Sequence, residues 1–170
     1  MSSMKFLSIF LLCFPLTATS PARAQQPEPR PALRIDVPAA AKASKVVFNM
    51  DHPAFAGDQP IGLRQMQSMI LAYKELKTPL EIIAVFHGAA GYMMLNDEAY
   101  NRARKTVNGN PYKQQIVALQ QQGVKFEECV HTAEANGWTN SDLLSGVKVN
   151  GGATLRLVQL MQDGFVQLQP

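Results

Sequence analysis

From Lys45 onward the chain alternates between two hydrophobic patterns. KVVFNM (45–50), LEIIAVFHG (80–88), VKFEECV (124–130) and VKVN (147–150) are short, continuous and rich in β-branched residues, and FVQL (165–168) is a possible fifth run of this kind. Such runs predict strands buried on both faces. Between them the apolar positions fall three and four apart. In GLRQMQSMILAYKEL (62–76) they are Leu63, Met66, Met69, Ile70, Tyr73 and Leu76. NDEAYNRARKTV (96–107) opens on an asparagine cap with acidic residues in its first turn. YKQQIVALQQQG (112–123) turns Ile116 and Leu119 inward and stops at Gly123. VHTAEANGW predicts a short helix, and ATLRLVQLMQDG (153–164) the last one. Strands alternating with helices predict an α/β domain, a three-layer α/β/α arrangement on a parallel sheet of four to five strands.

The N-terminal part has a different pattern. Lys5 precedes an apolar stretch from Phe6 to Leu16, and small and polar residues then lead to Ala22-Arg23-Ala24. These are the three parts of a secretory signal peptide, so residues 1–24 are expected to be cleaved after Ala24 and the protein to be periplasmic or secreted. The stretch is shorter than the about 20 residues a membrane helix needs, and no second long apolar stretch follows. Residues 25–44 contain Pro27, Pro29, Pro31 and Pro38 and an alanine run; this composition predicts an extended tether. Residues 45–170 then form one domain.

Loss of the leader changes the chemistry. Cys13 leaves with it, so Cys129 is the one thiol of the mature chain. Lys5 and Arg23 also leave, and 14 basic residues then face 13 acidic ones. A net charge near +1 without a basic stripe argues against nucleic acid as a partner. No G-x-x-x-x-G-K-[ST] and no G-x-G-x-x-G after a strand is present, which excludes the usual nucleotide loops; no organic cofactor is expected.

In a parallel sheet with right-handed crossovers every strand ends on the same edge, where ligands of such sheets bind. The residues just after the predicted strands are Asn49, Met50, Asp51 and His52; His87 and Gly88; Cys129, Val130, His131 and Thr132; and Asn150 with Gly151 and Gly152. All three histidines of the chain fall there. Cys129 stands where a strand hands over to a helix, a position whose N–H groups and dipole favour thiolate. His131 is the expected source of added positive charge, and His87 a polar wall, with Asn49, Asp51, His52 and Gly88 as further lining. Glu127 and Glu128 oppose ionisation if close. Alternation puts Glu127 on the sheet face of Cys129 and Glu128 on the other. No metal site is assigned: Cys129 with His52, His87 and His131 is a sensible zinc set, but the four come from three separate loops.

The stretches KVVFNMDH, IIAVFHGAAGYMML and GVKFEECVHTAEANGWTNSDLLSGVKVNGGATLRLVQLMQDGF resemble the DsrE/DsrF-like family of small sulfur-relay proteins. The last is the most specific, with a cysteine ending the third strand, a DLL-x-GV turn, a helix and a closing strand. The resemblance covers residues 45–170. It implies an α/β/α domain, assembly as homo-oligomers (trimers or hexamers), and a persulfide carried on the residue that matches Cys129, with a sulfur-donor or acceptor protein as partner. Relay members work inside the cell, whereas this chain carries an export signal. Three readings follow: a sulfur carrier with Cys129 as nucleophile, a small-ligand or metal-binding module at the strand-end edge, and a structural or interaction protein with an inert buried cysteine.

Overall fold

The computed structural model describes residues 33–170. The expected signal peptide (1–24) and the first part of the tether (25–32) lie outside the described residues. Residues 33–43 hold no helix or strand.

The domain opens with β1 (Ser44–Met50), followed by a small antiparallel pair, β2 (Phe55–Ala56) and β3 (Gln59–Pro60), and by α1 (Ile61–Glu75). β4 (Leu80–Phe86) leads into a 3-10 helix, Gly88–Met94, then α2 (Asp97–Arg104) and α3 (Lys113–Gln121). β5 (Lys125–Cys129) passes without a loop into α4 (Val130–Ala135). β6 (Lys148–Asn150), α5 (Ala153–Gln162) and β7 (Val166–Leu168) complete the chain. The asparagine predicted to cap α2 does so: the Asn96 side chain accepts from the Ala99 N–H at 2.9 Å. The β2–β3 pair and the 3-10 helix were not legible as regular elements, because neither has a hydrophobic period long enough to read.

The sheet has five strands in the order β6-β5-β4-β1-β7, each paired parallel to its neighbour. Its order explains how the helices divide. β1, β4, β5 and β6 are laid down in one direction, so their right-handed crossovers share one face. Only the step from β6 to β7 runs back, past β5, β4 and β1, and it carries α5 to the other face. The first face is the larger core. Val46, Phe48, Met50, Ile82, Ala84, Phe86 and Phe126 of the sheet pack there against Leu63 and Met66 of α1, Tyr100 of α2, and Ile116 and Leu119 of α3. The second core is smaller: Val47, Ile83, Val85 and Cys129 meet Ala153, Leu157 and Leu160 of α5, with Phe165. The result is a three-layer α/β/α domain.

Met66, Met69 and Ile70 form a broad apolar stripe on α1. Met66 is fully buried, and Met69 and Ile70 pack against the same core. The stripe is what α1 needs to cover its own sheet. Exposed apolar residues are scattered over the surface, among them Leu71 of α1 and Val117 of α3, and three of them, Leu155, Val158 and Met161, share α5. Among the described residues no helix is long and apolar enough to cross a membrane.

Candidate functional site

Cys129 is the last residue of β5 and the cap of α4. It is 5% exposed, yet it lines an open cleft of about 430 Å³ at the C-terminal edge of the sheet. His87 and Gly88 form one wall, His131 and Thr132 another, and residues 151–155 at the start of α5 a third. The thiol therefore meets solvent through one opening. Around it the partners are donors. The Ala153 N–H donates to Sγ at 3.4 Å. The main-chain N–H groups of His131 and Thr132 and the Thr132 hydroxyl lie near the sulfur and also favour its ionised form. Burial alone would raise the thiol pKa, but these donors outweigh it and hold Cys129 below its ordinary value of 9.0. Two helix starts, those of α4 and α5, converge on one sulfur because β5 and β6 are neighbours and end level: Cys129 pairs with Asn150.

Thr132 is held for this task. Its hydroxyl oxygen accepts from the Gly88 N–H at 2.9 Å, which leaves the hydroxyl hydrogen for the sulfur. Gly88 can present that N–H because it turns off β4 at φ 55°. A side chain there would be strained, and its Cβ would stand 3.0 Å from the Asp51 carbonyl oxygen.

The two glutamates beside the cysteine take opposite sheet faces, as alternation predicts, and each is neutralised by different means. Glu127 faces α5, where the Arg156 guanidinium grips it through Nε (2.9 Å to Oε2) and Nη2 (2.8 Å to Oε1). Asn150 Nδ2 adds a longer contact at 3.3 Å. Glu128 is fully buried on the other face, and neither carboxyl oxygen has a hydrogen-bond partner among the described residues. Burial first, then the charge of Cys129, pushes its pKa up to about 8. At neutral pH it is a carboxylic acid rather than a carboxylate. The expected penalty on the thiol is thus removed by an ion pair on one side and by protonation on the other. Gly91 makes room for this acid: a Cβ there would come within 2.7 Å of Glu128 Oε1 and of Thr132 Cγ2.

The remaining edge residues divide into two groups. His87 and Gly88 line the cleft with Cys129. Asn49 and Asp51 do not; they stand behind His87. Asn49 Oδ1 lies 2.8 Å from His87 Nε2. Asn49 Nδ2 donates to Gln169 Oε1 at 3.4 Å, and Gln169 Nε2 donates to Asp51 Oδ2 at 3.0 Å. His52 pairs with the other oxygen of Asp51 and is directed to solvent. His131 lines the cleft, but its side chain is 75% exposed and lies 3.5 Å from Glu134; what it gives the sulfur is its main-chain N–H. Among the described residues no three His, Cys, Asp or Glu side chains gather in a group able to hold a metal ion, so Cys129 and the three histidines do not form the zinc set that their residue types would allow.

A sequence model described as the DsrE/DsrF-like family matches residues 40–169. The chain belongs to the DsrE/DsrF-like family. Two solved structures share the fold of this DsrE/DsrF-like domain. One is the protein of unknown function MTH1491 from Methanobacterium thermoautotrophicum, 23% identical, covering 75% of this chain and 99% of its own, with a TM-score of 0.58. The other is the YchN protein from E. coli, 18% identical, with the same two coverages and a TM-score of 0.53. Comparison with curated proteins found no match.

Several residues of this DsrE/DsrF-like site were not singled out from the sequence. Thr132 and Asn150 were noted only as following their strands. Arg156 sits mid-helix with no signal that it reaches back to the sheet. Gln169 was within reach of the reasoning, because the rule that ligand-facing residues follow strand ends applies to β7 as to the others.

Proposed function

We propose that the chain is a sulfur carrier in which Cys129 takes up a sulfane sulfur as a persulfide and hands it to an acceptor thiol. The observation that carries this reading is a thiol that lines an open cleft, accepts from the Ala153 N–H and has the start of α4 beside it. A thiolate is the nucleophile of sulfur exchange, and these groups favour it. A single cysteine has no partner for an internal dithiol cycle, so sulfur must arrive from and leave to another molecule. Membership of a family linked to sulfur relay agrees with this. The expected leader, with cleavage after Ala24, supports a periplasmic or secreted location for this activity. Self-association, expected from the resemblance, would use the outward stripe Leu155, Val158 and Met161, which begins at the cleft rim.

The test is mass spectrometry of the intact mature protein after exposure to glutathione persulfide. Addition of one sulfur atom, reversed by a thiol reductant and missing in Cys129→Ser, is the expected result. An unchanged mass under conditions that load a control persulfide carrier rejects the reading.

A further inference from the structure

The side chains behind His87 form a chain whose direction is set at one end. Asp51 is a carboxylate: burial works against ionisation, but the hydrogen bond and charge of His52 hold it below the usual range. A carboxylate can only accept. Gln169 must therefore turn its amide nitrogen to Asp51, at 3.0 Å. That leaves its amide oxygen toward Asn49, which must donate through Nδ2, at 3.4 Å. The Asn49 oxygen then faces His87 Nε2 at 2.8 Å. An amide oxygen also only accepts, so Nε2 is the ring nitrogen that carries hydrogen. In the neutral ring the lone pair is on Nδ1.

The ring is neutral at pH 7. Burial lowers the pKa of His87, partly offset by Asp51. The charged and titratable groups around it are Asp51 and His52 from the loop after β1, and Cys129 and His131 across the cleft on β5 and α4. The chain after β7 contributes only the neutral Gln169.

We propose that His87 is the proton shuttle of sulfur loading, with Asp51, Gln169 and Asn49 as positioning residues that fix its tautomer. This rests on the sulfur-carrier reading and assigns its proton path. The donor is a persulfide, R–S–SH. The Cys129 thiolate attacks the outer sulfur. A new S–S bond forms to Cys129, and the bond between the donor's two sulfurs breaks, releasing R–S⁻. The proton remains on the transferred sulfur. His87 Nδ1 takes it, leaving Cys129–S–S⁻, and the imidazolium returns it to R–S⁻. The sum is Cys129–S⁻ + R–S–SH → Cys129–S–S⁻ + R–SH. The donor sulfur is reduced to the thiol level as the Cys129 sulfur is oxidised to the persulfide level, with no outside oxidant. A lowered imidazole pKa suits this role, since the ring must end each cycle without the proton.

Two measurements test it, one independent of sulfur chemistry. Long-range proton–nitrogen NMR of the labelled mature protein at pH 7, with His87 assigned by its loss in His87→Gln, is expected to show the Nε2–H tautomer. Gln169 is exposed, and Gln169→Leu is expected to populate both tautomers. An Nδ1–H tautomer or an imidazolium in the wild type overturns the proposal, as does a tautomer indifferent to Gln169→Leu. The second measurement compares the rate of loading from glutathione persulfide with the rate of alkylation by iodoacetamide, which needs the thiolate but no proton return. His87→Gln is expected to lower the ratio of the two rates at least tenfold, and Gln169→Leu two- to fivefold. An unchanged ratio overturns the shuttle. If the wild type takes up no sulfur, the carrier reading fails and the shuttle with it, while the NMR result still decides the hydrogen-bond chain.

Discussion

Glu128 offers a quantitative test of how the site keeps its thiolate beside two acids. Its carboxyl is sealed between β5 and the 3-10 helix at Gly91 without a hydrogen-bond partner. Burial moves its pKa from 4.5 to about 8. In the unfolded chain the group releases its proton near 4.5; in the folded chain it keeps the proton until about 8. Unfolding therefore releases a proton throughout that window, and stability falls as pH rises through it. The slope is about 1.4 kcal/mol per pH unit. Across the whole window the loss amounts to about 5 kcal/mol, a large part of the 5–15 kcal/mol typical of a domain. Glu128→Gln keeps the shape and removes the proton. Groups not coupled to Glu128 titrate alike in both proteins and cancel in the difference, and Cys129, which is coupled to it, adds the smaller share of the Glu128 shift. Urea unfolding at pH 5, 6, 7 and 8 should show the variant gaining on wild type by about 1.4 kcal/mol per pH unit. Whether Glu128→Gln is more or less stable at any single pH is secondary, because the amide brings its own unpaired donors. Parallel stability curves across this range would refute the claim that Glu128 is a neutral acid in the folded protein.

Two further predictions concern the groups around the sulfur. Thr132→Val removes a hydroxyl that accepts from the Gly88 N–H and favours the ionised sulfur. A hydrogen bond to a charged group contributes about 1.5–3 kcal/mol, so the pH midpoint of iodoacetamide alkylation should rise by about one unit or more, and no rise would remove Thr132 from the site. Arg156→Gln leaves the Glu127 carboxylate, 8% exposed, without its guanidinium. It should cost about 3 kcal/mol in urea unfolding, and adding Glu127→Gln should restore most of the loss; a double variant no better than the single one would mean that the ion pair is not the cause.

The fold was legible because five apolar runs of strand length stand between helical periods, and because parallel sheets bury both faces. The place of the site followed from the same logic, since residues after strand ends meet at one edge. The division of labour along that edge was not legible. Asn49 and Asp51 read as lining but stand behind His87, because the loop after β1 folds against β7 rather than over the cleft. His131 read as a source of charge, yet a helix start supplies main-chain N–H groups whatever side chain it bears. Glu127 and Glu128 read as equal obstacles. Alternation separated their faces, but only the return of α5 across the sheet brings Arg156 to one, and only the packing of Gly91 seals the other.

Gln169 is the last of these residues to be synthesised. A chain emerging from a ribosome has its thiol and its imidazole before β7 can dock. Until then Asn49 has nothing to hold its amide in one orientation, and the imidazole can take either tautomer. On the sulfur-carrier reading proposed above, the nucleophile is therefore encoded early and the residue that fixes its proton path late, so transfer through His87 would have to wait until β7 is in place.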